Sequence, residues 1–269
     1  MASTSIDDVL AALDHEIERA IATGDRRGYF AVLYRKVTAK VKEGLAAGFF
    51  DDAARMERLD AIFADRYLDA LAAHDAERTP TASWALTFGA GQQRRPLVLQ
   101  HLLVGINAHI NLDLGIAAAE CAPGPALPDL RRDFDRINAV LAATIGAVQQ
   151  DLRRVSPWLG MLDRIGARTQ HELVRFSIVA ARAGAWRFAT ELAATSTSRW
   201  PTRIATRDRA VARIGERVLH PGTAMTAGLL LVRLRERNDV PGNLRLLLGA
   251  DEPTLDEVAD QVDDPSLGP

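Results

Sequence analysis

The sequence predicts an all-α fold: one domain, built as a multi-helix bundle closed around a buried central helix. Three observations lead there. Apolar residues recur at helical spacing along most of the chain, and no segment alternates at the two-residue period of a strand. One long segment, from Pro96 to about Cys121, is apolar on every side, the pattern of a helix with no solvent face. Hydrophobic residues at 48% and charged residues at 25% suffice for a substantial core and exclude a wholly disordered chain. The domain is expected over residues 1–250, with 251–269 as an acidic tail of little fixed order.

The helices follow one another with clear punctuation. Ser5 with Asp8 reads as a capping box opening a first helix to about Ile21. Gly24 breaks it, Asp25 is placed to cap a second helix, and Gly48 ends that one. Asp51 then opens a third, on which Met56, Leu59, Ile62 or Phe63, Tyr67 and Leu71 share a stripe. A short segment after Pro80 carries Trp84 and Phe88. Pro96 stands at the first turn of the central helix, the PGPALP stretch ends it, and Pro128 starts a long helix to Val155. Residues 157–166 read as a turn or short helix, and Thr169 as the cap of a helix to about Ala194. TSTSRWPT reads as a loop before two last helices at 203–219 and 222–237.

Charge and cysteine content narrow the function classes. The single cysteine, Cys121, has no partner for a disulfide, and the acidic, amphipathic start lacks the basic region and apolar run of a signal peptide. No apolar stretch reaches about 18 uninterrupted residues, so no membrane span and a cytoplasmic location are expected. The net charge of −2 conceals an uneven distribution: residues 251–264 hold seven acids and no base, whereas 164–237 hold 14 arginines against five acids. Such a region suits phosphate or carboxylate, but with 30 arginines against three lysines in the chain an ordinary arginine-rich surface is the stronger reading. No nucleic-acid-binding motif accompanies it, so nucleic acid is not an expected partner. A small-molecule substrate is, and a homodimer is compatible with the sequence.

The central helix is where chemistry concentrates. His101, Gly105, His109 and Asp113 recur every four residues, while Asn107 and Asn111 lie on another face. Burying imidazole, amide and carboxylate groups together is costly unless each is hydrogen-bonded. One account is a structural polar network. The other is a pocket in which Gly105 leaves space, Asp113 orients His109, and His109 with His101 moves protons. Tyr67 and Asp60, with Tyr34 on the preceding helix, add polar groups on apolar stripes. On a later helix Arg175, with His171 and Arg182, makes a loose cationic face near Trp186, placed to hold an anion against an aromatic wall. No metal motif is present: His101 and His109 are about 12 Å apart along a helix, and no Cys-x-x-Cys or His-Glu-x-x-His occurs. No cofactor is expected.

At these residues the chain resembles a bacterial family of all-helical proteins catalogued as a domain of unknown function. The hallmark is Asn-Ala-His-Ile-Asn-x-Asp-Leu, present as NAHINLDL at 107–114. Supporting similarity lies in LYRKVT at 33–38, LDAIFADRYLDAL in the third helix, FDRINAVLA at 134–142 and ARAGAWRFATELA at 181–193, and spans roughly residues 30–195. The resemblance implies an all-helical fold and no particular activity.

The functional expectation is a small-molecule enzyme. His109 would be the general acid/base, Asp113 would orient it, and Asn107 or Asn111 would bind a substrate carbonyl or hydroxyl. Cofactor-free cyclisation, isomerisation, elimination or hydrolysis, as in natural-product biosynthesis, suits these groups. The alternatives are a non-catalytic small-molecule-binding or interaction protein, and a metal-dependent hydrolase drawing further ligands from other helices.

Overall fold

Ser5 caps the first helix as its sequence requires. Its hydroxyl accepts the Asp8 N–H, the Asp8 carboxylate accepts the Ser5 N–H, and both halves of the capping box are formed. In the computed structural model, which describes residues 3–158, 170–221, 223–249 and 254–262, every regular element among the described residues is helical. Helix α1 (Ile6–Thr23) buries the stripe Ile6, Val9, Leu13, Ile17 and Ala20. Gly24 ends it at φ 71°, a left-handed conformation that a glycine adopts without steric cost. Helices α2 (Gly28–Ala46) and α3 (Ala53–Asp75) follow. Asp25 and Asp51 depart from their expected roles. Asp25 accepts from Arg27 N–H before α2 begins, and Asp52 caps α3 while Asp51 pairs with Arg132 and Arg136.

Helix α4 (Ala82–Gly91) is capped from a distance. Asp208 accepts the N–H groups of Ala82 and Ser83 at 2.6 and 2.9 Å, setting a negative charge at the positive end of the helix. The central helix begins as α5 (Val98–Ala108), widens to a π-helical turn at His109–Asp113 and continues as α6 (Leu114–Cys121). Together these make a 24-residue run containing an 18-residue stretch of mean hydropathy 1.4, which by length and composition alone matches a membrane span. Polar residues therefore interrupt its apolar character less than the sequence reading held. Its composition reflects its place in the core, where 83% of that stretch is buried. Helices α2, α3, α4, α7, α8 and α9 pack around it.

A 3-10 turn (Gly124–Leu130) contains Pro128 and leads into α7 (Arg131–Val155), so the long helix starts after that proline. Then come α8 (Gln170–Ala193), a 3-10 turn (Thr197–Arg199) and α9 (Trp200–Leu219) with Pro201 in its first turn. Helix α10 (Thr223–Arg233) leaves Leu230 and Leu231 exposed, as is Leu234 just after it. Helix α11 (Val240–Leu248), not anticipated from sequence, buries Asn243 against Tyr29 and the Arg237 carbonyl. Within the expected acidic tail, α12 (Leu255–Val262) turns Val258 wholly inward and packs on α7. Thr169 and most of 157–166 lie outside the described residues.

Candidate functional site

The π-helical turn sits on the polar motif, with His109 and Asp113 as its two ends. Its closing bond runs from Leu114 N–H to His109 O, five residues back. Such turns are rare and occur preferentially at functional sites. His109 Nδ1 lies 3.3 Å from Asp113 Oδ2, and neither residue is more than 3% exposed. The carboxylate also accepts Trp84 Nε1 at 2.8 Å and Arg66 Nε at 3.1 Å, so three donors surround it. With an ionised Asp113, the consistent tautomer places the imidazole proton on Nδ1 and leaves the Nε2 lone pair unshared.

The imidazole is held by rings. Phe63 stacks on it at 3.6 Å with 10° between planes, and Tyr34 meets it edge-on at 4.4 Å. Phe30, Trp84 and Tyr67 complete the enclosure at 5.5, 6.0 and 6.3 Å between centroids. Burial pushes the His109 pKa below the ordinary histidine value, while the hydrogen bond and charge of Asp113 oppose that shift. The ring is thus a neutral, rigidly oriented base.

Two polar atoms in this neighbourhood, His109 Nε2 and Asp60 Oδ2, have no hydrogen-bond partner among the described residues, and Tyr34 OH and Thr38 Oγ1 have none beyond each other. Tyr34 and Thr38 are one turn apart on α2. Asp60 shares a face of α3 with Phe63, and its charge, with that of Asp113, acts on the Tyr34 phenol after burial has already raised its pKa. Asp60 is 3% exposed, and burial followed by the charge of Glu57 lifts its pKa to about 7. Each unpaired buried group costs roughly 1–3 kcal/mol, so His109 Nε2 and Asp60 Oδ2, beside two hydroxyls that meet only each other, are an anomaly that packing alone does not explain.

The other expected site residues are dispersed. His101 is buried against Tyr29, and burial, then the charges of Arg26 and Arg233, depress its pKa to about 4. It does not join His109, because the space that Gly105 leaves is filled by Phe30: a Cβ at Gly105 would stand 2.5 Å from that ring. His101 instead lines a cavity of about 10 Å³ with Arg26 and Arg27, whose other walls include Phe30, Tyr67 and Trp84. Those three rings are shared with the His109 enclosure.

Asn107 and Asn111 face away from His109. Asn107 Nδ2 donates to the Val211 carbonyl at 2.9 Å, Asn111 Nδ2 donates to Asn107 Oδ1 at 3.1 Å, and Arg207 Nε donates to the Asn111 carbonyl at 2.8 Å. Both asparagines tie the central helix to α9, so the structure does not place them to bind a substrate held by His109. Trp186 is on α8 between Phe134 and Arg131, beside a separate cavity of about 690 Å³ near Pro125 and Leu127. The Arg175 and His171 side chains lie outside the described residues, and Arg182 is buried. Among the described residues, no group of three or more His, Cys, Asp or Glu side chains is placed to share a metal ion. Cys121 is buried, and burial raises its thiol pKa, consistent with an unreactive sulfur.

Sequence reasoning missed Arg66 and gave Trp84 no role beyond marking a short helix, yet both hold Asp113. The available signal was a lone arginine inside the apolar stripe, next to Tyr67. Thr38 carried no signal beyond its spacing of four from Tyr34.

Comparison with curated proteins and with solved structures gave no match. A family profile does match, over residues 6–221, a longer stretch than the motif similarities alone cover. The chain belongs to the family described as Family of unknown function (DUF5995).

Proposed function

We propose that the protein is an enzyme acting on a small organic molecule, with the enclosed His109 centre as its reacting site. The observation that carries this reading is the unshared Nε2 of His109, held in one orientation by Asp113 and Phe63 in an enclosure where Asp60 Oδ2 is also unpaired and the Tyr34 hydroxyl meets only Thr38. A neutral imidazole accepts a proton at Nε2, and Asp60, with a pKa of about 7, holds a proton it can return near neutral pH. Two titratable groups whose surroundings set different protonation states are the usual equipment of an isomerase, a cyclase or an elimination catalyst. Tyr34 and Thr38 supply hydroxyls to orient an oxygen of the substrate. Admission then requires the shared rings Phe30, Tyr67 and Trp84 to part, which links the centre to the cavity beside His101, Arg26 and Arg27.

The test compares wild type with His109→Gln, each incubated with a pool of cellular metabolites that is then profiled by mass spectrometry. Compounds consumed by wild type and spared by a folded variant are expected. Identical profiles from two folded proteins sink the reading. A second reading, a purely structural network, draws on the three donors that saturate Asp113. It predicts that His109→Gln loses stability and changes no metabolite.

A further inference from the structure

The two long helices that flank the polar motif on its far side, α8 and α9, leave between them an open cleft of about 620 Å³. That volume is in the range of small-ligand pockets, ~300–1,000 Å³. Its walls carry Arg187, Arg203 and Arg207 against a single acid, Glu191. Glu191 is engaged with Arg203 at 2.8 Å. Arg187 has no carboxylate partner among the described residues, and the one hydrogen bond that Arg207 makes there uses Nε alone. The remaining Nη donors of Arg207 are uncommitted, and its guanidinium lies 5.5 Å from the centre of the Phe188 ring. Burial and then the charge of Arg187 lower the Arg207 pKa, with Glu191 opposing them, so the two arginines repel each other across the cleft. Gly184 keeps the wall open: a Cβ there would stand 3.1 Å from an Arg207 nitrogen.

Phe188 is 4% exposed and lies under Arg207, so it forms the floor. Two uncompensated guanidinium groups in a recess whose remaining walls include Gly184, Thr206 and Ala210 match a small molecule with a doubly charged head and a compact organic body. We infer that the α8–α9 cleft binds an organic phosphate monoester, its phosphoryl oxygens held by Arg187 and Arg207 and its organic part laid along the wall formed by Gly184, Thr206 and Ala210. Planar guanidinium forks suit phosphoryl oxygens, and a dianion relieves the repulsion between the two cations. This inference stands independently of the reaction proposed at His109, because it uses a different cavity and different side chains. Arg207 nevertheless touches both places: its Nε holds the Asn111 carbonyl in the middle of the π turn.

The experiment is calorimetric titration of the full-length protein with phenyl phosphate, inorganic phosphate and benzoate, at low and at physiological salt. Saturable binding of phenyl phosphate is expected, about tenfold or more tighter than either of the others and weaker at the higher salt. Arg207→Gln removes a structural bond as well as a ligand contact, so Arg187→Gln is the deciding variant. It is exposed and otherwise unpaired, and it should weaken phenyl phosphate binding about tenfold with unchanged thermal stability. Absence of phenyl phosphate binding, equal affinity for inorganic phosphate, or indifference to Arg187→Gln would each overturn the assignment. Tight binding of a single-stranded oligonucleotide that displaces phenyl phosphate would overturn it too, by making the cleft part of a larger basic surface.

Discussion

The indole N–H of Trp84 donates to Asp113 Oδ2 at 2.8 Å, joining two residues that are each 1% exposed and 29 positions apart. Trp84 stands in the first turn of α4, whose N-terminus is held by Asp208 of α9. One chain of contacts therefore runs from α9 through α4 to the carboxylate that orients His109. Trp84→Phe keeps most of the ring volume and removes the donor. It is expected to cost roughly 1–3 kcal/mol, read as a lower urea midpoint with an unchanged slope. An unaltered midpoint would show that the bond contributes nothing to the fold.

His101 makes stability depend on acid. Its folded pKa of about 4 lies below the unfolded value near 6.5, so between these limits the unfolded chain binds a proton that the folded chain refuses. Stability contributed by the neutral ring is present above pH 6.5 and falls as the pH drops toward 4, by roughly 3 kcal/mol in total. His109, lowered by the same burial, adds in the same direction. His101→Gln should flatten the curve between pH 6.5 and 4, measured by urea unfolding across that range.

Asp60 acts with the opposite sign. Its folded pKa of about 7 exceeds the unfolded value of 3.8, so stability is lost as the pH rises from 4 through 7. Asp60→Asn keeps the shape and removes the titration. Its stability relative to wild type should therefore improve by roughly 4 kcal/mol between pH 4 and pH 8. Parallel curves for the two proteins would mean that Asp60 is ionised in the fold at all these pH values.

Phe30 fills the gap opposite Gly105 with ring atoms that a Cβ would meet at 2.5 and 2.6 Å. Gly105→Ala should destabilise by roughly 1–3 kcal/mol through displacement of that ring. Because Phe30 also borders His109, the near-ultraviolet circular dichroism of the aromatic cluster should change with it.

The fold was legible where helix signals are local. The Ser5 capping box, the Met56–Leu71 stripe and the all-apolar central helix each reside within a few residues of chain. The polar motif was legible for the same reason, since His109 and Asp113 are near neighbours on one element. Their surroundings were not. Arg66 and Trp84 reach Asp113 across 47 and 29 residues of sequence, and no periodicity records which side chain meets a carboxylate from another helix. The expected substrate ligands Asn107 and Asn111 went to α9, because an amide satisfies a neighbouring backbone carbonyl as readily as a ligand. Helix α11 escaped notice because PGNLRLLL is short and opens on two residues that usually mark turns.

The π turn has a consequence for lineage. A turn closed over five residues holds one more residue than the α-helix around it, so the flanking segments keep their phase only if that residue stays or is cleanly removed. Deleting Ile110 should leave α5 and α6 facing the same neighbours, with helical circular dichroism retained. It would bring Asp113 from four to three places after His109, a spacing at which the two side chains still share a helix face. A one-codon change thus removes the wide turn while keeping the helices and the His109–Asp113 pair, and separates what the turn contributes from what its residues contribute.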